Sequence, residues 1–363
     1  FQGTTKEINF LVDEKPILDK KLWKLIKWLS SYYNTPIGLA AKVALPSKLS
    51  TTYEPKKQTY VKISSTNYES KIFRGIQKKI YNYLKSKNKL LPISDLKKFT
   101  KNPLSTCKAL ESKGAIQIVK KSIIPDTYNL PFSKSNKKIH LTNDQRNSTD
   151  KICKSLDRGI FDTFLLHGVT GSGKTEIFIE AAKHAMSNEK SVIVLLPEIS
   201  TTPQIASRFK SVFGDVVETW HSKLSSSSRG WIWRKICEEN FKIIIGARSA
   251  IFTPLKNIGL IIVDEEQESS YKQTAPDPKY HAREVALMRG KISNATVILS
   301  SATPSIESYY NYKKNKYKYL NLPDRIGNAQ LPTIHLVDMI EENKKTEKFG
   351  SIFSGFMLQK IKD

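Results

Sequence analysis

With 363 residues, 39% of them apolar and 26% charged, the chain has length for two or three domains and can bury a core rather than remain a solvated tail. The 59 Lys and Arg outnumber the 34 Asp and Glu, and the net charge of +25 points to a polyanionic partner, most simply nucleic acid, or else to an anionic membrane surface. Three scattered cysteines, Cys107, Cys153 and Cys237, exclude a disulfide framework and a Cys-rich zinc site within these residues and suit a reducing cytoplasm, while apolar runs no longer than Ile258–Val263 exclude a membrane-spanning helix, and no membrane partner is expected.

The charge sits at the front. Residues 1–140 hold 28 Lys/Arg and 9 Asp/Glu, a net of +19, and residues 141–363 hold the remaining 31 and 25, a net of +6. A short strand-like run, Ile8–Val12, precedes a helix with the apolar stripe Leu22, Leu25, Ile26 and Leu29, which ends near Asn34 ahead of Pro36 and Gly38. The polar, Lys-rich stretch Pro46–Lys62 reads as a linker. Residues 70–124 read as a winged helix-turn-helix. Its first helix is marked by Ile72, Phe73, Ile76, Ile80, Tyr83 and Leu84, and its second is capped by Ser94. The third covers Pro103–Lys113 and is closed by Gly114, and Ala115–Lys121 forms a wing strand. A third helix of this kind can enter a major groove, yet only Lys108 and Lys113 on it are basic, so a spacer or protein-contact role stays open.

After a second basic linker, Ser133–Lys138, strands and helices alternate. Strands are expected over Phe161–His167, Ser191–Pro197, Val216–His221, Lys242–Gly246, Ile258–Asp264 and Thr296–Ser301. Helices are expected over Glu176–Ser187, Pro203–Phe213, Gly230–Glu239 and Ala282–Lys291. Such near-continuous apolar strands call for a parallel sheet with helices on both faces, an α/β fold. The last residues, Phe356–Asp363, read as an amphipathic helix cut in mid-course, and with Phe1 in place of Met this suggests a piece of a longer protein.

Three strings carry phosphate chemistry. Gly168-Val-Thr-Gly171-Ser172-Gly173-Lys174-Thr175 fits G-x-x-x-x-G-K-[ST] between an apolar strand and a helix. Its glycines let backbone N–H groups close around phosphate oxygens, Lys174 reaches the β- and γ-phosphates of ATP, and the Thr175 hydroxyl ligates Mg²⁺. Asp264-Glu265-Glu266-Gln267 ends a buried strand, where ligands of open α/β sheets bind. There Asp264 would hold Mg²⁺ and Glu265 would activate the attacking water. Ser301-Ala302-Thr303 ends the next strand, with hydroxyls able to sense a γ-phosphate. Gln145, upstream of the P-loop, either reads an adenine edge with its amide or belongs to an N-capping loop.

These residues together resemble superfamily 2 DNA helicases, and among them the bacterial replication-restart helicases. The similarity runs from Leu141 to about Pro323. Its most specific strings are Gly246-Ala-Arg-Ser-Ala250 and Tyr280-His-Ala-Arg283. Residues 1–50, with Tyr32-Tyr33-Asn-Thr-Pro-Ile-Gly38, are similar to the end of that family's 3′-DNA-binding domain, and a winged helix follows there too. The resemblance implies a RecA-like P-loop lobe and four divisions: 1–62 for the DNA-binding domain's end and linker, 63–130 for the winged helix, 131–325 for the lobe, and 326–363 for the start of the next region. It implies ATP-driven 3′→5′ unwinding of forked DNA and primosome assembly, with single-stranded DNA, primosome proteins and a single-stranded DNA-binding protein as partners.

By the same resemblance Pro197, His221 and Arg248 lie along the single-strand path, although Arg248 can equally be a surface or core-pairing residue. Tyr271, Lys272 and Arg283 lie in or beside an aromatic-rich loop that couples DNA contact to hydrolysis, and Gln267, Ser301 and Thr303 relay it. Gln267 stands where the family has His, and Ala275, Pro276, Asp277 and Pro278 stand where it tends to have glycine or an aromatic. The family's zinc-binding cysteines and second lobe are expected beyond this chain, so slow hydrolysis by the chain alone is expected. Another superfamily 2 translocase, or a fork-binding scaffold without motor activity, are the alternatives.

Overall fold

A computed structural model of the chain describes residues 16–49, 57–64, 73–122, 140–197, 202–328, 333–346 and 352–362. They fall into two units, residues 1–323 and 324–363. The expected strand Ile8–Val12 and the basic stretch Ser133–Lys138 lie outside the described residues.

The first helix, α1 (Lys20–Tyr32), begins where the Asp19 carboxylate accepts the Leu22 N–H at 2.6 Å, satisfying a donor that has no partner inside the helix. A short α2 (Ile37–Ala44) follows. The stripe expected on α1 is fully buried, and Leu22, Leu25, Ile26 and Leu29 join the core beneath the large sheet described below.

The small domain contains β1 (Lys57–Ile63), α3 (Gly75–Lys87), β2 (Leu91–Pro92), α4 (Pro103–Ser112) and β3 (Ile116–Ser122). Its sheet order is β2-β1-β3, antiparallel throughout, with Tyr60 opposite Val119 and Val61 opposite Ile118. The stretch read as linker up to Lys62 is therefore corrected: its last six residues belong to the central strand, where Val61 is buried and Lys62 exposed. The exposed Lys62 and the polar Gln58 and Thr59 hid the strand. Ser94 caps no helix either, because Ile93–Leu96 forms a 3-10 turn directly after Pro92. A separate core of Val61, Phe73, Ile80, Leu84, Cys107 and Leu110 holds this winged-helix domain together.

The large domain opens with α5 (Asn143–Arg158), a helix absent from the sequence expectations. It continues through β4 (Asp162–Gly168), α6 (Lys174–Ser187), β5 (Ser191–Leu195), α7 (Thr202–Phe213), β6 (Val217–Trp220), α8 (Ser226–Cys237) and β7 (Ile243–Gly246). It ends with β8 (Ile258–Val263), α9 (Ala282–Ser293), β9 (Thr296–Ser301), α10 (Ile306–Lys313) and β10 (Lys318–Leu322). All seven strands are parallel, in the order β10-β4-β9-β8-β5-β7-β6. The six expected strands are present, and β10 is added at one edge.

Period-two alternation sends one set of side chains to each face. Leu165, Ile193, Ile261, Val263, Val297 and Leu299 meet α1, α2, α8 and α9 on one side. Phe164, Leu166, Val192, Val194, Ile262 and Ile298 meet α5, α6 and α7 on the other. This is the two-sided RecA-like lobe, and it brings the ends of β4, β9 and β8 side by side. The second unit contains α11 (Met339–Thr346) and α12 (Gly355–Lys362), the latter over the amphipathic pattern expected there.

Candidate active site

Strand order sets the geometry. The P-loop follows β4, the Ser301–Thr303 segment follows β9 and the acidic turn follows β8, so three motifs far apart in sequence share one rim. Gly171 and Gly173 both take left-handed conformations, with φ of 82° and 78°, which L side chains rarely adopt. A Cβ on Gly168 would lie 2.7 Å from the Ser172 hydroxyl and 3.1 Å from Leu322. The loop is thus shaped around backbone amides, and Lys174 and Thr175 open α6 at its positive end. The Lys174 ammonium donates to the Gly168 carbonyl at 2.8 Å and stands 4.0 Å from a Glu265 oxygen.

Asp264 is 6% exposed and bound to the sheet through its N–H, which donates to Leu195. Burial, with Glu265 adjacent, pushes its carboxyl up to about 6, while Lys174 and Ser300 pull the other way. Glu265 sits in the left-handed region, φ 46°, which turns it toward Lys174. A lysine at the mouth of an amide cradle, facing two carboxylates, fits a magnesium-bound triphosphate. Thr175 and Asp264 offer the hard oxygen ligands that Mg²⁺ prefers.

Gln145 is 2% exposed, and both ends of its amide are engaged within the protein. Its oxygen accepts from the Thr142 N–H at 2.9 Å, completing a capping box, and its nitrogen donates to the Ser172 carbonyl at 2.8 Å. The N-capping alternative is the one this geometry contains, with the P-loop as its second contact.

Behind the cradle, the Gln267 nitrogen donates to Glu265 at 2.9 Å and the Ser301 hydroxyl donates to the Gln267 oxygen at 2.6 Å. Ser301 in turn accepts the Thr303 N–H at 2.8 Å. A glutamine replacing the family histidine thus connects the acidic turn to the Ser301–Thr303 segment with both of its amide atoms. Glu266 is fully buried and receives four donors: Arg283 at 2.8 Å, the Ser305 N–H at 2.7 Å and hydroxyl at 3.1 Å, and the Ser308 hydroxyl at 2.9 Å.

Three residues expected at the DNA path are buried in this structure. Tyr271 is 1% exposed and donates its hydroxyl to the Asp264 carbonyl at 2.6 Å, so its ring has no free face for a base. Arg283, 8% exposed, is spent on Glu266, on Glu284 at 3.0 Å and on Ser305 at 2.7 Å. His221 is buried at the end of β6. In each case an internal polar partner or the core outcompetes solvent. Pro197 and Arg248 do sit on one rim with His221, since Leu195, Gly246 and Trp220 are in register at the ends of β5, β7 and β6. Arg248 donates to the carbonyls of Ser270 and Lys272 at 3.3 and 3.2 Å, which pins the loop after β8, and Lys272 is exposed above it.

A family model described as DEAD/DEAH box helicase matches residues 142–311, and one described as 3′DNA-binding domain matches residues 1–46. The replication restart protein PriA of Chlamydia pneumoniae is 39% identical over 360 residues, spanning 97% of this chain and 48% of that protein. PriA of Bacillus subtilis is 41% identical over 273 residues, 75% of this chain and 34% of that protein. The chain belongs to the PriA family. It spans about half the length, or less, of the curated PriA relatives it matches.

The two strings most specific to PriA proteins have structural work in this fold. A Cβ on Gly246 would lie 2.0 Å from the Trp220 carbonyl oxygen, so only glycine lets β7 approach β6 at that point. Ser249 then accepts from the Trp220 indole at 3.1 Å, and Ala250 enters the core. In the other string Tyr280 packs edge-on against Phe252 at 5.3 Å, while the His281 N–H donates to the Tyr33 hydroxyl at 3.0 Å and ties α9 to the end of α1. Sequence reasoning missed Glu266, Tyr33 and Gln273. Gln273 closes the loop by donating to the carbonyls of Pro276 and Pro278 at 2.7 and 3.1 Å. Glu266 had a signal as a third acid inside a recognised motif, and Tyr33 lay in the Tyr32–Gly38 string without a role assigned to it.

Proposed function

We propose that the chain supplies the ATP-binding lobe and upstream DNA-binding elements of an ATP-dependent 3′→5′ DNA helicase that acts at stalled or abandoned replication forks and starts primosome assembly. The observation that carries this reading is the convergence of Lys174, Asp264 and Glu265 on one rim of the parallel sheet, beyond β4 and β8 with β9 between them, with Lys174 4.0 Å from Glu265. ATP with Mg²⁺ is the nucleotide this arrangement suits. The metal would be held by Thr175 and Asp264 and would polarise the transferring phosphoryl group. Lys174 would neutralise charge on the β- and γ-phosphates, and Glu265 would accept a proton from the attacking water. Gln267 would carry the state of that site to Ser301 and Thr303.

Forked and single-stranded DNA are the proposed substrates. Pro197, Arg248 and Lys272 form the rim that meets the sugar-phosphate backbone without reading bases. The net charge of +19 over residues 1–140 favours duplex or fork contact by the front of the chain. Primosome proteins and a single-stranded DNA-binding protein are proposed partners by kinship alone. No described helix is long and apolar enough to cross a membrane, and the described residues hold no cluster of metal-ligating side chains.

ATP turnover with and without forked DNA tests the reading. The chain should hydrolyse slowly and be stimulated by the fork, because arginines from a second lobe contribute about 10³–10⁵ in rate where they are present. Lys174→Ala should abolish turnover and keep fork affinity. Undiminished hydrolysis by Lys174→Ala would overturn the motor reading in favour of a scaffold.

A further inference from the structure

The Pro197–Arg248 rim lies at the β5-β7-β6 side of the sheet. At the opposite edge, where β10 flanks β4, a cavity of about 460 Å³ opens between α5 and the segment 312–320. It is built at the level of Phe164 and Lys318, the start of β10, whereas the P-loop follows the far ends of the same strands. It is therefore separate from the nucleotide cradle.

Two kinds of side chain line it. Lys151, Lys154 and Arg158 occupy positions i, i+3 and i+7 of α5 and stand exposed along one helix face. Opposite them are Tyr312, Tyr317 and Tyr319, each half-buried. Tyr312 and Tyr319 stack at 4.4 Å with 19° between their planes, and Tyr309 continues the row edge-on at 5.6 Å from Tyr312. The Lys313 ammonium lies 5.3 Å from the rings of both Tyr309 and Tyr312. Asp162 is held by Lys318 at 2.6 Å and by the Ser155 hydroxyl at 2.6 Å, so its charge is offset inside the wall. Asp157, on the same helix, is drawn off toward His184 at 2.6 Å.

Cations in a row facing aromatic rings are the two components of a single-strand seat, one for phosphates and one for bases. An acidic peptide would answer the charge but not the ring ladder. We propose that this pocket is a second nucleic-acid site, distinct from the rim of the motor, which takes one or two nucleotides of single strand with phosphates on Lys151, Lys154 and Arg158 and a base against the Tyr317–Tyr319 wall. The site also touches the cradle. The Ala302 carbonyl can only accept, so His167 donates to it from Nε2 at 3.2 Å and accepts the Tyr319 hydroxyl at Nδ1, 2.7 Å away. His167 immediately precedes Gly168, so a ligand that moves Tyr319 acts one residue from the P-loop.

The test uses the whole chain without nucleotide, so its outcome is independent of the motor reading. A fluorescein-labelled 20-mer of oligothymidylate is titrated by anisotropy over a range of salt. The K151Q/K154Q/R158Q variant should bind at least tenfold more weakly, with the salt slope reduced by about 2, since each single-strand phosphate contact contributes about 0.7. The charge-preserving K151R/K154R/R158K variant should restore both. A 5-iodouracil version of the oligonucleotide should crosslink to Tyr317 or Tyr319. Affinity within twofold of the parent with crosslinks confined to other segments would overturn the proposal. Displacement of the oligonucleotide from this pocket by an acidic peptide, but not by unlabelled oligothymidylate, would overturn it equally.

Discussion

The nucleotide cradle and the loop between β8 and α9 share a rim, yet their key residues are fixed in place by different means. In the cradle, Lys174, Thr175 and Glu265 are half-buried around the P-loop, with Lys174 resting on the Gly168 carbonyl, and the glycines around them have conformations or approaches that leave little freedom. In the loop and the first turn of α9, Tyr271 and Arg283 turn inward to Asp264 and Glu266, and Lys272 alone of these three residues faces solvent. A motif written in backbone geometry fixes where its side chains go. A motif written in side chains leaves direction to partners elsewhere in the chain. The loop therefore works here as an anchor on the acidic turn, with Arg248 and Lys272 as its outward face.

The contrast can be broken by substitution. Glu266→Ala would leave the Arg283 guanidinium buried without its carboxylate and should cost about 3–5 kcal/mol in urea unfolding. Lys174→Ala should leave the same unfolding curve in place, because Lys174 serves the open cradle. A loss below 1 kcal/mol for Glu266→Ala would mean that the loop is not anchored. Tyr271→Phe keeps the ring and removes one buried hydrogen bond to Asp264, at about 1 kcal/mol. A Tyr271→Phe variant as stable as the parent would mean that this bond does not anchor the loop.

The smallest effect is pH-dependent. Burial, and then Arg283, lower the His281 pKa below its ordinary 6.5. Unfolded chains take up a proton near pH 6.5 that the folded chain refuses, so this residue's contribution is present above that pH and is lost as pH falls through it. The melting temperature should drop between pH 7 and pH 5.5, and His281→Asn should drop less over the same interval. An equal drop in both would remove His281 from the account.

Much of the lobe was legible because parallel strands buried on both faces are long apolar runs, and the P-loop and acidic turn sit at their ends. What escaped has physical reasons. The strand β10 reads Lys318-Tyr-Leu-Asn-Leu322 at a sheet edge, where one face stays wet and the run looks like a basic loop. The helix α5 is strongly polar, with Ile152 and Leu156 its main apolar buried residues and Gln145, Ser148, Thr149 and Ser155 filling the rest of its inner face, so few apolar residues announce it, although Thr142 and Gln145 mark its start. Strand β1 hid behind the exposed Lys62 in the same way. At the site, the string gave the positions of Lys174, Asp264, Glu265 and Gln267, whereas the inward turn of Tyr271, Arg283 and His221 depends on Asp264, Glu266 and the core, which no local pattern encodes.

The central claim is that the cradle holds a magnesium-bound nucleoside triphosphate. Titration of the chain with a fluorescent ATP analogue and Mg²⁺ measures it directly. The account predicts saturable binding that weakens at least tenfold in Lys174→Ala, with the unfolding curve unchanged. Equal binding by parent and variant, or no binding by either, would contradict it.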